Sequence, residues 1–350
     1  MNIAEIDKNL AVDKSIDKTG LVFSDIDSPP FRIYGVRRDG NDYIRLPKDI
    51  TRAISPALYN LSLNTAGGRI RFNTDSCRIA LIATYSSIYF APHMPLTGAA
   101  GFDVYDGERY AATLVPPVNF DNKAYESVMS FADKKMRTVT VNMPLYSSPM
   151  KVYIGIDEGS RLEAAPDYTV EAPVVYYGSS ITQGGCASHP GSAYQGYISR
   201  KLDANFINLG FSGNGKAEPT VAAYIASLNM SAFVSDYDHN APTPEYLEET
   251  HERLFLTVRE AQPDLPVLFV SKPDYRHDAV SDKRYAIIET TYENALRRGD
   301  KNVYLIHGRS FFADSPEGLE PMVDGCHPTD LGFRIMGEKM LPVIKKMLKL

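Results

Sequence analysis

Four short stretches of this 350-residue chain carry residue types that suit one reaction. VVYYGSSITQGG (Val174–Gly185) ends an apolar run in two adjacent hydroxyls, Ser179 and Ser180, with Gly178 before them and Gly184 and Gly185 close behind. GFSGNG (Gly210–Gly215) offers Gly213, DYDHN (Asp236–Asn240) offers Asn240, and DGCH (Asp324–His327) places a carboxylate three residues before an imidazole. A neutral serine hydroxyl is a weak nucleophile and needs an adjacent base. His327 can be that base for Ser180, and Asp324 can fix its tautomer and stabilise the imidazolium. A tetrahedral oxyanion needs preorganised donors, for which the N–H of Ser180, the N–H of Gly213 and the amide of Asn240 are candidates. The chemistry is acyl transfer by serine. Each stretch also has a plainer reading. Ser179 or Ser180 can cap the helix that follows, Gly213 can be a turn glycine, and Thr329 beyond Asp324–His327 can open a final helix.

These residues need a scaffold that gathers them. In the second half, five apolar runs (173–177, 205–209, 232–235, 266–270 and 302–306) alternate with helix-length segments at 194–202, 220–228, 244–261, 281–298 and 329–350. Strand–helix alternation predicts a parallel sheet covered on both faces. Three of the four reactive stretches follow such runs, at the strand ends where open parallel sheets collect their sites. The last helix carries Leu331, Met336, Met340, Ile344 and Leu348 at roughly helical spacing, with Lys345, Lys346 and Lys349 suited to the negative end of its dipole. The first half has another period. KVYIGID (Lys151–Asp157) and RTVTVNM (Arg137–Met143) alternate, and 68–85 reads as two strands joined near Asn73–Asp75. Short strands between turn residues predict a jelly-roll-like β-sandwich; the best helical candidate there is around Asp49–Leu61. The expected architecture is therefore α/β: an all-β sandwich over 1–165, then a three-layer α/β/α domain of flavodoxin-like type with five parallel strands over 166–350, joined in the polar stretch 157–173.

The motifs resemble a family. Gly178-Ser179-Ser180-Ile181 is similar to the first block of the GDSL, or SGNH, hydrolases, with Ser179 where that family usually has Asp. SGNG resembles the second block, with Gly213 as its glycine. DHNA resembles the third, usually Gly-x-Asn-Asp, through Asn240 alone. Asp324-x-x-His327 matches the fifth. GFDVY (Gly101–Tyr105), within PHMPLTGAAGFDVY, is similar to the Gly-x-Asp-Leu-Tyr motif of the sandwich that precedes the hydrolase domain in one branch of the family. The resemblance implies a serine esterase with Ser180, His327 and Asp324 as its triad and no metal or cofactor. Its expected substrate is a short acyl group, such as acetyl, on a carbohydrate or small hydroxylated molecule. An acyltransferase using the same residues, and a catalytically inactive carbohydrate-binding protein, are the alternatives.

Other residues receive weaker readings. Ser179 is structural or a neighbour of the nucleophile, and with His189 and His93 it is a candidate wall of the substrate pocket. His189 in CASHPGSAY is equally a surface-loop residue, and His93 a structural one. Asp236, Asp238 and His239 could suggest a metal site, but no second carboxylate–histidine cluster matches it, and the two carboxylates are expected instead to bond loop backbone around Asn240. His251, His277 and His307 carry no pattern. Cys77, Cys186 and Cys326 lack C-x-x-C spacing and read as free thiols. GNGKAE lacks the last glycine of a dinucleotide loop, and GFSGN misses the α/β-hydrolase elbow at its fifth position. A net charge of −6 without a basic stripe argues against nucleic acid, and no apolar stretch approaches the ~18 residues of a membrane helix. The acidic start, MNIAEIDKNLAVDKSIDK, is unlike a signal peptide, so a cytoplasmic location is expected unless an export signal was removed.

Overall fold

A computed structural model describes residues 15–118, 123–273, 278–313 and 318–350. It divides into two compact units. The first comprises Met1–Ile44, Leu63–Pro166 and Ser188–Pro190; the second comprises Arg45–Ser62, Asp167–Ala187 and Gly191–Leu350. The main exchange falls at Pro166, but two short segments lie outside a single cut there: 45–62 joins the second unit and 188–190 the first.

The first unit is antiparallel throughout. One sheet runs β1 (Leu21–Asp25), β11 (Ser148–Asp157), β6 (Arg78–Ser87) and β9 (Ala124–Ser130). The other runs β12 (Leu162–Glu163), β5 (Arg69–Thr74), β10 (Arg137–Asn142), β7 (Phe102–Asp106) and β8 (Arg109–Leu114), with β2 (Arg32–Tyr34) beside β5. A small hairpin joins β3 (Arg37–Asp39) to β4 (Asp42–Ile44). Alternation decides the interior: Ile79, Leu81 and Ala83 from β6 and Val152, Ile154 and Ile156 from β11 share one core with Ile70, Phe72, Val104, Val139 and Val141. Burying each of the larger of these side chains is worth roughly 1.5–3 kcal/mol. The expected sandwich is present. The helical candidate at 49–61 is real, as α1 (Lys48–Ile54) and α2 (Pro56–Ser62), but it belongs to the second unit, where Leu46 and Leu58 enter the core.

The second unit has five parallel strands in the order β14 (Ala204–Gly210), β13 (Val170–Gly178), β15 (Ala232–Asp236), β16 (Val267–Val270) and β17 (Val303–Ile306). Taken from β13 as the first strand this is the order 2-1-3-4-5, so the chain reverses direction across the sheet between β13 and β15, and ligands bind outside the strand ends at such a reversal. The helices are α3 (Ser180–Gln183), α4 (Tyr194–Leu202), α5 (Pro219–Ser227), α6 (Pro244–Ala261), α7 (Ala279–Arg297) and α8 (Asp330–Met347). Side-chain caps start several of them: Thr243 on α6, Asp278 on α7 and Thr329 on α8. On α8 the buried face is Phe333, Met336, Met340, Ile344 and Met347. Of the residues expected on that stripe, Leu331 is exposed and Leu348 half-buried, because the true seam starts at Phe333. No described helix is long and apolar enough to cross a membrane.

Candidate active site

The site lies in the second unit, at the carboxyl ends of the strands. β13 ends at Gly178, against which a side chain could not fit: a Cβ there would lie 2.1 Å from Thr182 Oγ1 and 2.3 Å from the Asp236 carbonyl oxygen. Ser179, fully buried, caps α3 by accepting the N–H of Ile181 at 3.1 Å. It therefore serves the helix end and does not line an open pocket. The capping role and the reactive role fall on different serines, since Ser180 turns its Oγ to His327 Nε2 at 2.9 Å.

His327 Nδ1 in turn meets Asp324 Oδ2 at 2.8 Å. The turn that makes this possible is local. Asp324 Oδ1 accepts the N–H groups of Cys326 and His327, at 2.9 and 2.8 Å, and Val323 N–H donates to the His327 carbonyl at 2.8 Å. Partial burial works against the Asp324 charge, but the backbone and ring N–H groups of His327 and the N–H of Cys326 prevail and hold its carboxyl down at about 2. An ionised carboxylate on Nδ1 fixes a proton there and leaves Nε2 as the acceptor facing Ser180. Ser180, His327 and Asp324 thus form one hydrogen-bonded chain, as their residue types suggested.

Gly213 sits in the turn after β14 with φ +67, in the left-handed region, and a Cβ would meet nothing within 4 Å. Its N–H has no acceptor among the described residues. Asn240 ends a 3₁₀ turn, Asp238–Asn240, after β15. Its Nδ2 donates to the Phe211 carbonyl at 2.9 Å, an oxygen that also accepts the N–H groups of Asn214 and Gly215. One of its two amide protons is therefore committed to holding the 211–215 turn, and a single proton remains for an incoming oxyanion.

Sequence reasoning missed the groups that brace this edge. Arg45, buried in the second unit, donates to the carbonyls of Gly210 at 2.5 Å and Leu61 at 2.7 Å and stacks on Phe211. Gln183 Oε1 accepts the N–H of Ser212 at 3.0 Å, tying α3 to the turn after β14. Arg284 holds the 3₁₀ turn through the carbonyls of Asp238 and Ala241. Arg45 and Arg284 lie in no motif, and Gln183, though within the first stretch, carries no signal there beyond its type. Asp236 and Asp238 were expected on loop backbone. Asp238 does accept the N–H groups of His239 and Lys272, at 2.9 and 3.1 Å. Asp236 instead accepts the Thr182 hydroxyl at 3.0 Å, and burial, reinforced by the Asp238 charge, pushes it well above the usual carboxylate range.

The remaining candidates divide between the two units. His189 belongs to the first unit, where Nδ1 meets the buried Asp103 of GFDVY at 2.5 Å and the ring stacks on Tyr110 at 4.6 Å; Asn142 Nδ2 also donates to Asp103, at 2.6 Å. His93, also of the first unit, lies in a turn closed between Ala91 and Met94. His277 falls outside the described residues. Cys186, buried, has its thiol pushed up to about 12 by desolvation and then by the charges of Asp324 and Cys326, so it stays protonated.

A family model described as GDSL-like lipase/acylhydrolase matches residues 171–345. The chain belongs to that family. A second model, for the GxDLY N-terminus of SGNH-hydrolase-type esterases, matches residues 21–162. As a member the protein is a carboxylic ester hydrolase. Among solved structures, one from Bacteroides ovatus, regarded as a GDSL-like lipase, is 27% identical, with a TM-score of 0.84 over 94% of this chain and 98% of that one. A salicylyl-acyltransferase from a tetracycline biosynthetic pathway is similar at 18% identity and TM-score 0.77, over 94% and 98%. An acetyl xylan esterase from the rumen bacterium Butyrivibrio proteoclasticus is similar at 12% and 0.59, over 94% and 99%. The last two show likeness of fold alone. No curated protein matches the chain.

Proposed function

We propose that the protein hydrolyses esters of a short acyl group, such as acetyl, on a carbohydrate or other small hydroxylated molecule, through an acyl-enzyme on Ser180. The observation that carries this reading is the chain of contacts from Ser180 Oγ to His327 Nε2 at 2.9 Å and from His327 Nδ1 to Asp324 at 2.8 Å. In the first half-reaction Ser180 Oγ attacks the acyl carbonyl while its proton passes to Nε2. Asp324 keeps the imidazolium oriented. The carbonyl oxygen, now an anion, is met by the N–H groups of Ser180 and Gly213 and by the second Nδ2 proton of Asn240. His327 then gives its proton to the departing alcohol. Water follows the same path in reverse roles: it yields a proton to Nε2, adds to the acyl carbon, and releases the acid and Ser180. The acetyl xylan esterase among the structures of similar fold supports a carbohydrate ester as the class to test first.

A fluorophosphonate probe reports a serine nucleophile directly. Wild-type protein is expected to be labelled, and Ser180→Ala and His327→Ala to lose both labelling and most turnover of aryl acetates, on the order of 10⁴-fold or more. Folded wild-type protein that resists the probe would end this reading.

A further inference from the structure

The second unit holds a cavity of about 190 Å³ that the proposed mechanism does not use. His239, Lys272, Arg284, Tyr285, His307 and Arg309 line it, together with Asp238. Three cationic residues and one carboxylate residue thus line it. The carboxylate is already occupied: Asp238 takes the His239 ring at 3.1 Å and the N–H groups of His239 and Lys272. Burial opposes its charge, but these donors hold Asp238 below the usual carboxylate range, so it is ionised and spent. Two of the cations are held in place. Arg284 is pinned by two backbone carbonyls, and Arg309 Nη1 pairs with Asp282 at 2.5 Å. The His307 ring stacks on Tyr285 at 3.5 Å and its Nδ1 accepts the Arg309 N–H.

Two polar atoms of this lining are buried without a partner among the described residues: His239 Nε2 and Arg309 Nη2. A buried polar atom left unmatched costs about 1–3 kcal/mol, and such atoms are rare enough in native proteins to need a reason. His239 Nδ1 faces the ionised Asp238, which leaves Nε2 a lone pair able to accept only from a protonated oxygen; Arg309 Nη2 is a fixed donor, and it has a reason to stand open if the cavity is built to receive oxygen atoms. Its size admits a compact oxyanion with several waters, since a water occupies about 30 Å³ of liquid. Its position is equally specific. Lys272 follows β16 and Arg309 follows β17, so the lining comes from the strand ends that carry the site, and His239 directly precedes Asn240.

We infer that this cavity binds an anionic oxygen group, a carboxylate or a phosphate, carried by the ester substrate on the part remote from the scissile bond. The anion would take Arg309 Nη2 and the Lys272 ammonium as charge-assisted donors. The assignment of that anion to a substrate rests on the ester hydrolysis proposed above; the existence of the anion site does not.

The binding test uses the full chain with Ser180→Ala, which removes turnover from the measurement. Titration calorimetry with inorganic phosphate and, separately, with glucuronate is expected to give saturable binding of at least one. Lys272→Met or Arg309→Met should weaken it about tenfold or more, and Lys272→Arg should largely restore it. Binding of neither probe, or affinity unchanged in both methionine variants with native circular dichroism, would overturn the site. The kinetic arm compares acetylated glucuronate and an acetylated sugar phosphate with acetylated glucose on wild-type protein. A kcat/KM preference of about tenfold or more for one anionic ester supports the substrate class and says which anion is read; equal values overturn it. Absence of turnover on all three esters would count against the proposed reaction, and the calorimetry would still decide the cavity.

Discussion

Two histidines of the second unit show what separates the candidate site from a core in the same fold. His251 lies on α6, fully buried between Tyr237 and Phe269, and its Nδ1 meets only the Thr291 hydroxyl, at 2.9 Å. Burial lowers its affinity for protons to a pKa of about 4. It is a neutral, polar packing element. His327 lies on a tight turn with 17% of its side chain exposed, a carboxylate on one nitrogen and a hydroxyl on the other. Proton transfer needs that arrangement: a counter-charge for the imidazolium, an oriented lone pair and a route for water. The same residue type in apolar packing lacks all three.

Asp324→Asn tests the contrast at its most sensitive point. The amide can still accept the N–H groups of Cys326 and His327, so the turn should persist, but it no longer imposes the Nδ1 proton or balances the imidazolium. The expected result is a fall in kcat of about 10³–10⁴-fold with little change in thermal midpoint. Activity within a few-fold of wild type would mean that His327 resembles His251 more than its surroundings suggest.

Asn240→Ala asks whether the site depends on donors as well as on the proton path. Phe211 keeps two backbone N–H groups on its carbonyl when the amide is removed, so the 211–215 turn has support of its own. The loss should then appear in kcat more than in KM, at about 10²–10³-fold, or roughly 2.7–4 kcal/mol of barrier. Wild-type kcat in this variant would remove Asn240 from the oxyanion donors and leave it as a brace.

How much of this was legible follows from the distance over which each feature is encoded. The sheet strands were readable as apolar runs because a parallel strand covered on both faces must be apolar along its length. The pairing of Asp324 with His327 was readable because one turn of chain brings them together. The contact between Ser180 and His327, across 147 residues, was readable from the nucleophile–base pairing of their residue types and from the motif resemblance, while the strand ends placed only Ser180. By contrast, Arg45 bracing β14 and the cationic cavity are made of single residues from distant segments, with no spacing to betray them. His307 is such a case. It carries no pattern in the sequence, yet in the fold it stacks on Tyr285 at the cavity wall. The assignment of 45–62 to the second unit was hidden for the same reason: helical period shows an apolar face but not which core that face enters.

His251 supplies the smallest expected effect and the other half of the comparison. Its folded pKa lies below the unfolded value of about 6.5, so the unfolded chain binds the proton more readily. The stability this histidine contributes is complete above that value and is lost as pH falls from about 6.5 toward 4. Between pH 6.5 and 5 the loss due to this group should be about 2 kcal/mol. Denaturant midpoints measured across that window for wild type and His251→Gln isolate it, because groups common to both cancel. The variant should start less stable, having lost the ring packing against Tyr237 and Phe269, and should fall less steeply on acidification. Parallel slopes would mean that the imidazole is already protonated, or freely hydrated, in the native state. The contrast with His327 would then rest on partners alone and not on burial.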